Sequence, residues 1–171
     1  MNLDVGFVNT DLLAKMQPGG YTTANFYKAE VLARRMIREY VSQKEDFLIE
    51  SNLSSQRDYD WLIQMVNAGY DCFLYFLHTQ SVEINLYRVE KRVLEGGHFV
   101  DPTIIRHRYQ MVLTHLRSKL EIFKSALLID MTEDLPKLVA RLSYGLLDFK
   151  SPNPPEWVDN VLSLVERRHR K

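Results

Sequence analysis

A chain of 171 residues with 46% hydrophobic and 26% charged residues carries enough apolar surface for one core, and the expectation is a single domain over 1–171. Its 22 Lys and Arg balance 22 Asp and Glu, which excludes the long-range field that draws nucleic-acid and anionic-membrane binders to their targets. Cys72 is the one cysteine, so an intrachain disulfide or a cysteine metal cluster is excluded. It reads as a buried, unpaired thiol. No run approaches the roughly 18 apolar residues of a membrane span and no secretory signal opens the chain, so a cytoplasmic location is expected.

Short apolar runs alternate with segments of helical period, the pattern of βα units that feed a largely parallel sheet flanked by helices. Gly6 to Asn9 reads as a first strand. Thr22 or Thr23 caps a helix running to about Ser42, with Val31, Leu32, Met36, Ile37, Tyr40 and Val41 at three- and four-residue spacing. Asp46 to Glu50 is the second strand, followed by a helix with Trp61, Leu62, Met65 and Val66 on one stripe and Gly69 as its terminator.

Asp71 to Leu77 is apolar throughout, which predicts a central strand covered by helices on both faces. A charged helix over Glu83 to Glu95 ends at Gly96-Gly97. Asp101-Pro102 then opens a long helix whose stripe is Ile105, Tyr109, Val112, Leu116, Leu120 and Phe123. Ala126 to Asp130 is a fourth strand, and Lys137 to Phe149 has no clear period. A Pro-rich linker, 150–155, leads to a terminal helix over 156–168. The basic tail Arg167 to Lys171 lacks interleaved aromatics and reads as a solvated end.

Asp11 lies just past the first strand and Glu50 ends the second. Ligands of open α/β sheets bind outside the carboxyl ends of strands, where a carboxylate can accept a hydroxyl proton. Capping or turn roles explain each residue equally well. Arg88 and Arg92 are four apart and share a helix face, and the Gly pair is expected to turn the chain so that Arg106 and Arg108 return toward them. Such a cluster suits phosphate, whose oxygens match the guanidinium fork. The alternative is a solvated helical pair with salt bridges to Glu83, Glu90 and Glu95. His78, His98, His107, His115 and His169 show no metal-ligand spacing.

Phe7-Val8-Asn9-Thr10-Asp11, Glu50-Ser51-Asn52-Leu53-Ser54, Gly69-Tyr70, Leu74-Tyr75-Phe76-Leu77 and Arg88-Val89 with Val93 and Gly96-Gly97-His98 occur in one order. In that order the chain resembles the zeta-toxin-type kinases, including the UDP-N-acetylglucosamine kinases, from about Phe7 to Tyr109. The resemblance implies a three-layer P-loop kinase fold that uses ATP and Mg2+ to phosphorylate a hydroxyl of a nucleotide sugar or similar small molecule. It implies Asp11 as general base, Glu50 and Asn52 at the acceptor, and Arg88, Arg92 and Arg108 as lid arginines on the ATP phosphates, with Arg106 as an alternate to Arg108 and His98 at the hinge. An antitoxin protein is an implied partner. Asn52 stands where the family usually has Thr, and Met131 where Asn is usual.

The family's Gly-x-x-x-x-Gly-Lys-Ser/Thr loop occurs nowhere in the 171 residues. The resemblance therefore implies a first strand and phosphate loop ahead of Met1, and no magnesium ligand from this chain. Two further readings follow: an inactive remnant or interaction module that binds without turnover, and a partner chain that supplies the strand and loop.

Overall fold

The computed structural model describes residues 5–168, with side chains through Val165. They fall into two compact units divided between Asn52 and Leu53, where a single domain was expected.

The first unit holds β1 (Gly6–Val8), α1 (Thr10–Lys15), α2 (Thr23–Gln43) and β2 (Phe47–Ile49). The two strands pair in parallel, Gly6 with Phe47 through Val8 with Ile49. Thr22 caps α2 by accepting from the Asn25 amide at 3.2 Å, and Lys44 closes it in the left-handed region at φ 57°. The stripe that packs differs from the one expected: Ala29 and Ala33 are buried, while Val31 and Leu32 are exposed. The Tyr40 ring stacks on Phe47 and lies directly over Gly6, leaving no room there for a Cβ. The short helix α1 was not expected.

The second unit holds α3 (Gln56–Asn67), β3 (Phe73–His78), α4 (Val82–Leu94), α5 (Pro102–Leu116), a 3-10 turn (Leu120–Ile122), β4 (Ser125–Asp130), β5 (Lys137–Ser143), β6 (Leu146–Lys150) and α6 (Glu156–Arg168). Its sheet runs β3-β4-β5-β6, with β3 and β4 parallel and the other two pairs antiparallel. Leu74, Phe76, Ala126, Leu128, Ala140 and Leu142 face a core closed by Tyr59, Leu62, Val112, Leu116 and the α6 residues Trp157, Val158, Val161 and Leu162. The architecture is mixed α/β.

Two expectations are corrected in this unit. β3 is an edge strand of its sheet, and its burial alternates: Phe73, Tyr75 and Leu77 are 57–67% exposed. A continuous apolar run therefore did not mean two covered faces. The helix opened by Asp101 stops at Leu116, and Leu120 and Phe123 enter the core from the turn that follows. Lys137 to Phe149 is a hairpin, closed by Tyr144 and Gly145 at φ 48° and 77°, both in the left-handed region that a two-residue turn between twisted strands demands. Cys72 is half-buried, and burial raises its thiol pKa. The last three residues of the basic tail lie outside the described residues.

Candidate functional site

The carboxyl ends of β1 and β2 are tied together by a residue whose part the sequence did not reveal. Asn9, the N-cap of α1, accepts from the Leu12 amide at 2.8 Å through Oδ1, while its Nδ2 donates to Glu50 Oε2 at 2.5 Å. The amide orientation is fixed by its partners, since a carboxylate only accepts and a backbone N–H only donates. The parallel ladder extends one step further, with the Glu50 amide donating to the Val8 carbonyl at 3.1 Å. Asp11 stands in the first turn of α1, exposed, two residues past this link. The first unit thus gathers Asn9, Asp11 and Glu50 at one end of a parallel pair. Asn52 is exposed two residues further on. The available signal for Asn9 was an amide at a strand end directly before Thr10-Asp11, an N-cap pattern.

The arginines lie in the second unit, on α4 and α5, and Arg106 does not join Arg92 as expected. Arg106 pairs with Glu83 at 2.9 Å, near the start of α4. Glu83 and Arg92 are about two and a half turns apart, on opposite faces of that helix. Arg92 instead donates to the His98 carbonyl at 3.3 Å. Its backbone closes a helix-ending motif in which Gly97 N–H bonds to the Arg92 carbonyl and Gly96, at φ 87°, to that of Val93. A Cβ on Gly97 would stand 2.5 Å from Arg92 Cγ, so this contact requires glycine. His98 is half-buried beside it. Arg88 and Arg108 are exposed, and among the described residues Arg88, Arg92 and Arg108 form no ion pair. Of the bridges that the alternative reading named, the one to Glu83 forms, from Arg106, and those to Glu90 and Glu95 do not, among the described residues.

A cleft of about 320 Å³ lies on α5 and α6, lined by Tyr109, Gln110, Leu113, Thr114, Arg117 and Asn160. It contains none of the residues given a catalytic or binding role from the sequence. Among the described residues no group of three or more His, Cys, Asp or Glu side chains is arranged to hold a metal ion, and no helix is long and apolar enough to cross a membrane.

No family model matches the chain. An uncharacterized protein of Haemophilus influenzae is 33% identical over 69 residues, 40% of this chain and 49% of that protein. The chain thus spans about half the length of this curated relative. A chain from the structure of the PezAT chromosomal toxin-antitoxin system of the human pathogen Streptococcus pneumoniae matches with a TM-score of 0.51 and 14% identity, over 96% of this chain and 74% of that one. At that identity the likeness is one of fold, and the mixed α/β architecture is shared with a component of a toxin-antitoxin system.

Proposed function

We propose that the chain carries the acceptor and phosphate residues of a zeta-toxin-type, ATP-dependent phosphotransferase acting on a hydroxyl of a nucleotide sugar or similar small molecule. The observation that carries the reading is the Asn9 link, which holds Glu50 beside the turn bearing Asp11 at the ends of two parallel strands. That is where an acceptor binds in open α/β sheets. The fold likeness to a chain of a toxin-antitoxin system supports the same reading and makes an antitoxin protein the expected macromolecular partner.

In this reading Asp11 takes the proton of the acceptor hydroxyl as its oxygen attacks the γ-phosphorus of ATP, and ADP leaves. Glu50 and Asn52 orient the acceptor. Arg88, Arg92 and Arg108 neutralise the charge that spreads over the phosphate oxygens during transfer, with Arg92 held at the His98 turn. Arg106, engaged by Glu83, takes a structural part instead. ATP is the donor substrate, and Mg2+ would enter with it.

A second reading is favoured by one observation: the sequence has no Gly-x-x-x-x-Gly-Lys-Ser/Thr loop. A module that binds a nucleotide sugar or a protein without turnover needs none. Calorimetry of the chain with Mg-ATP and with UDP-N-acetylglucosamine, alone and with a phosphate-loop segment added upstream, separates the two. Binding of both ligands and transfer by the extended form, abolished by Asp11→Asn with ATP affinity retained, supports the kinase. Sugar-nucleotide binding with no ATP binding in either form supports the module.

A further inference from the structure

The end of β3 holds a polar centre that the proposed reaction does not use. His78, the last residue of β3, is 6% exposed and pairs in register with Asp130 of β4, also 6% exposed. Its ring stacks on Tyr109 of α5 at 4.5 Å between centroids and on Phe76 at 5.6 Å, and meets the Trp157 indole of α6 edge-on at 5.1 Å. Its Nε2 is buried with no hydrogen-bond partner. Around it the hydrogen bonds also cross between elements: Tyr109 donates to the Thr79 carbonyl at 2.8 Å, and Asp130 accepts from Thr132 at 2.7 Å and from the Trp157 indole at 3.5 Å.

We propose that His78 is a proton-operated latch that fastens α5 and α6 to the end of β3. Neutral, the imidazole is a flat surface on which Tyr109 and Trp157 pack. Protonated, it becomes a buried cation whose Nε2–H meets no acceptor, and both faces of the contact must open to hydrate it.

The charged and titratable groups around it are few. On β4 the facing group is Asp130, which favours the cation, as do the aromatic faces. On α5 it is the Tyr109 phenol, whose pKa is raised by burial and then by Glu83 and Asp130; on α6 it is the neutral Trp157 indole, with Glu156 and Asp159 exposed nearby. Arg106 is occupied by Glu83. Burial outweighs Asp130 and holds His78 down to about 4 from an ordinary 6.5. Because α5 also carries Arg106 and Arg108, opening the latch frees the arginine-bearing helix; the latch stands whether or not those arginines bind phosphate.

The chain has two tryptophans, so Trp61→Phe leaves Trp157 as the one tryptophan, excited apart from the tyrosines at the red edge of the absorption band. Its fluorescence and its accessibility to acrylamide are followed from pH 7.5 to 4, with far-UV circular dichroism in parallel and the His78 ring resonances read by NMR. The expected result is a one-proton change in Trp157 emission below pH 6.5, matched by His78 titration, with helix content retained and the change absent in His78→Phe. The latch is overturned by the same transition in His78→Phe, by no transition before helix content is lost, or by His78 resonances that titrate apart from the Trp157 signal. Should His78→Phe fail to fold, the match between resonance and emission in the His78 protein decides alone.

Discussion

Asn9 joins Glu50 to the first turn of α1, donating to the carboxylate from one end of its amide and capping the helix from the other. Replacing it separates these two tasks. Asn9→Ala loses both, and chemical denaturation should show a loss of about 1–2 kcal/mol, the usual worth of an N-cap. Asn9→Asp keeps the cap but sets a second carboxylate against Glu50, so it should still destabilise the protein; adding Glu50→Gln should recover most of that loss. Equal stability of Asn9→Ala and the parent would deny the link any structural weight.

The arginines without an ion pair and the paired one should behave differently toward phosphate. Arg88→Ala, Arg92→Ala and Arg108→Ala each remove a charge-assisted donor, so tripolyphosphate affinity by calorimetry should fall about tenfold per residue. Arg106→Ala breaks an exposed ion pair worth under about 1 kcal/mol and should leave phosphate binding nearly unchanged. A pattern in which Arg106 alone matters would move the phosphate site to the start of α4.

Much of this could be read from the sequence because the signals were local. Asp101-Pro102 at a helix start, Thr22 as a cap and Gly96-Gly97 as a stop each act within a few residues, and each stands where expected. Burial was less legible, since it depends on partners distant in sequence. Phe73, Tyr75 and Leu77 alternate with core residues on an apolar strand, and nothing local distinguishes a covered face from a bare one. The small Ala29 and Ala33 pack where larger residues gave the stronger periodic signal, because close approach of α2 favours small side chains. At the site, Arg88 and Arg92 both lie on α4, but Arg106 turns to Glu83, a contact between helices that spacing within one helix does not specify.

Stability should depend on pH through His78. Its pKa in the folded protein is about 4 against 6.5 unfolded, so between those values the unfolded chain binds the additional proton. Stability is then complete above pH 6.5 and falls as the pH drops toward 4, by about 3 kcal/mol at most. Glu83 and Asp101, both held below the ordinary range by hydrogen bonds to Arg106 and Thr103, act in the same direction: their contribution is present above the unfolded carboxylate pKa and is lost as the pH falls through the folded one. Urea midpoints from pH 7.5 to 4 should decline, and the decline between 6.5 and 4.5 should be shallower in His78→Phe.

The hairpin turn offers a test with opposite signs at adjacent positions. Tyr144 and Gly145 both have positive φ, which costs an ordinary L-residue energy that glycine does not pay and asparagine pays only in part. Tyr144 is exposed, so replacing it forfeits little packing, and Tyr144→Asn creates the Asn-Gly pair that this turn prefers. A gain of about 0.5 kcal/mol is expected. Gly145→Ala meets two penalties, the strain of φ 77° and a Cβ only 3.2 Å from the Glu121 backbone, so a loss of at least about 1 kcal/mol is expected. Both variants leave the Asn9 link and the arginine helices untouched, so their effects should appear in denaturation midpoints alone. Stabilisation by Gly145→Ala, or loss from Tyr144→Asn, would mean that the turn has another geometry and that the β5–β6 register is not the one described.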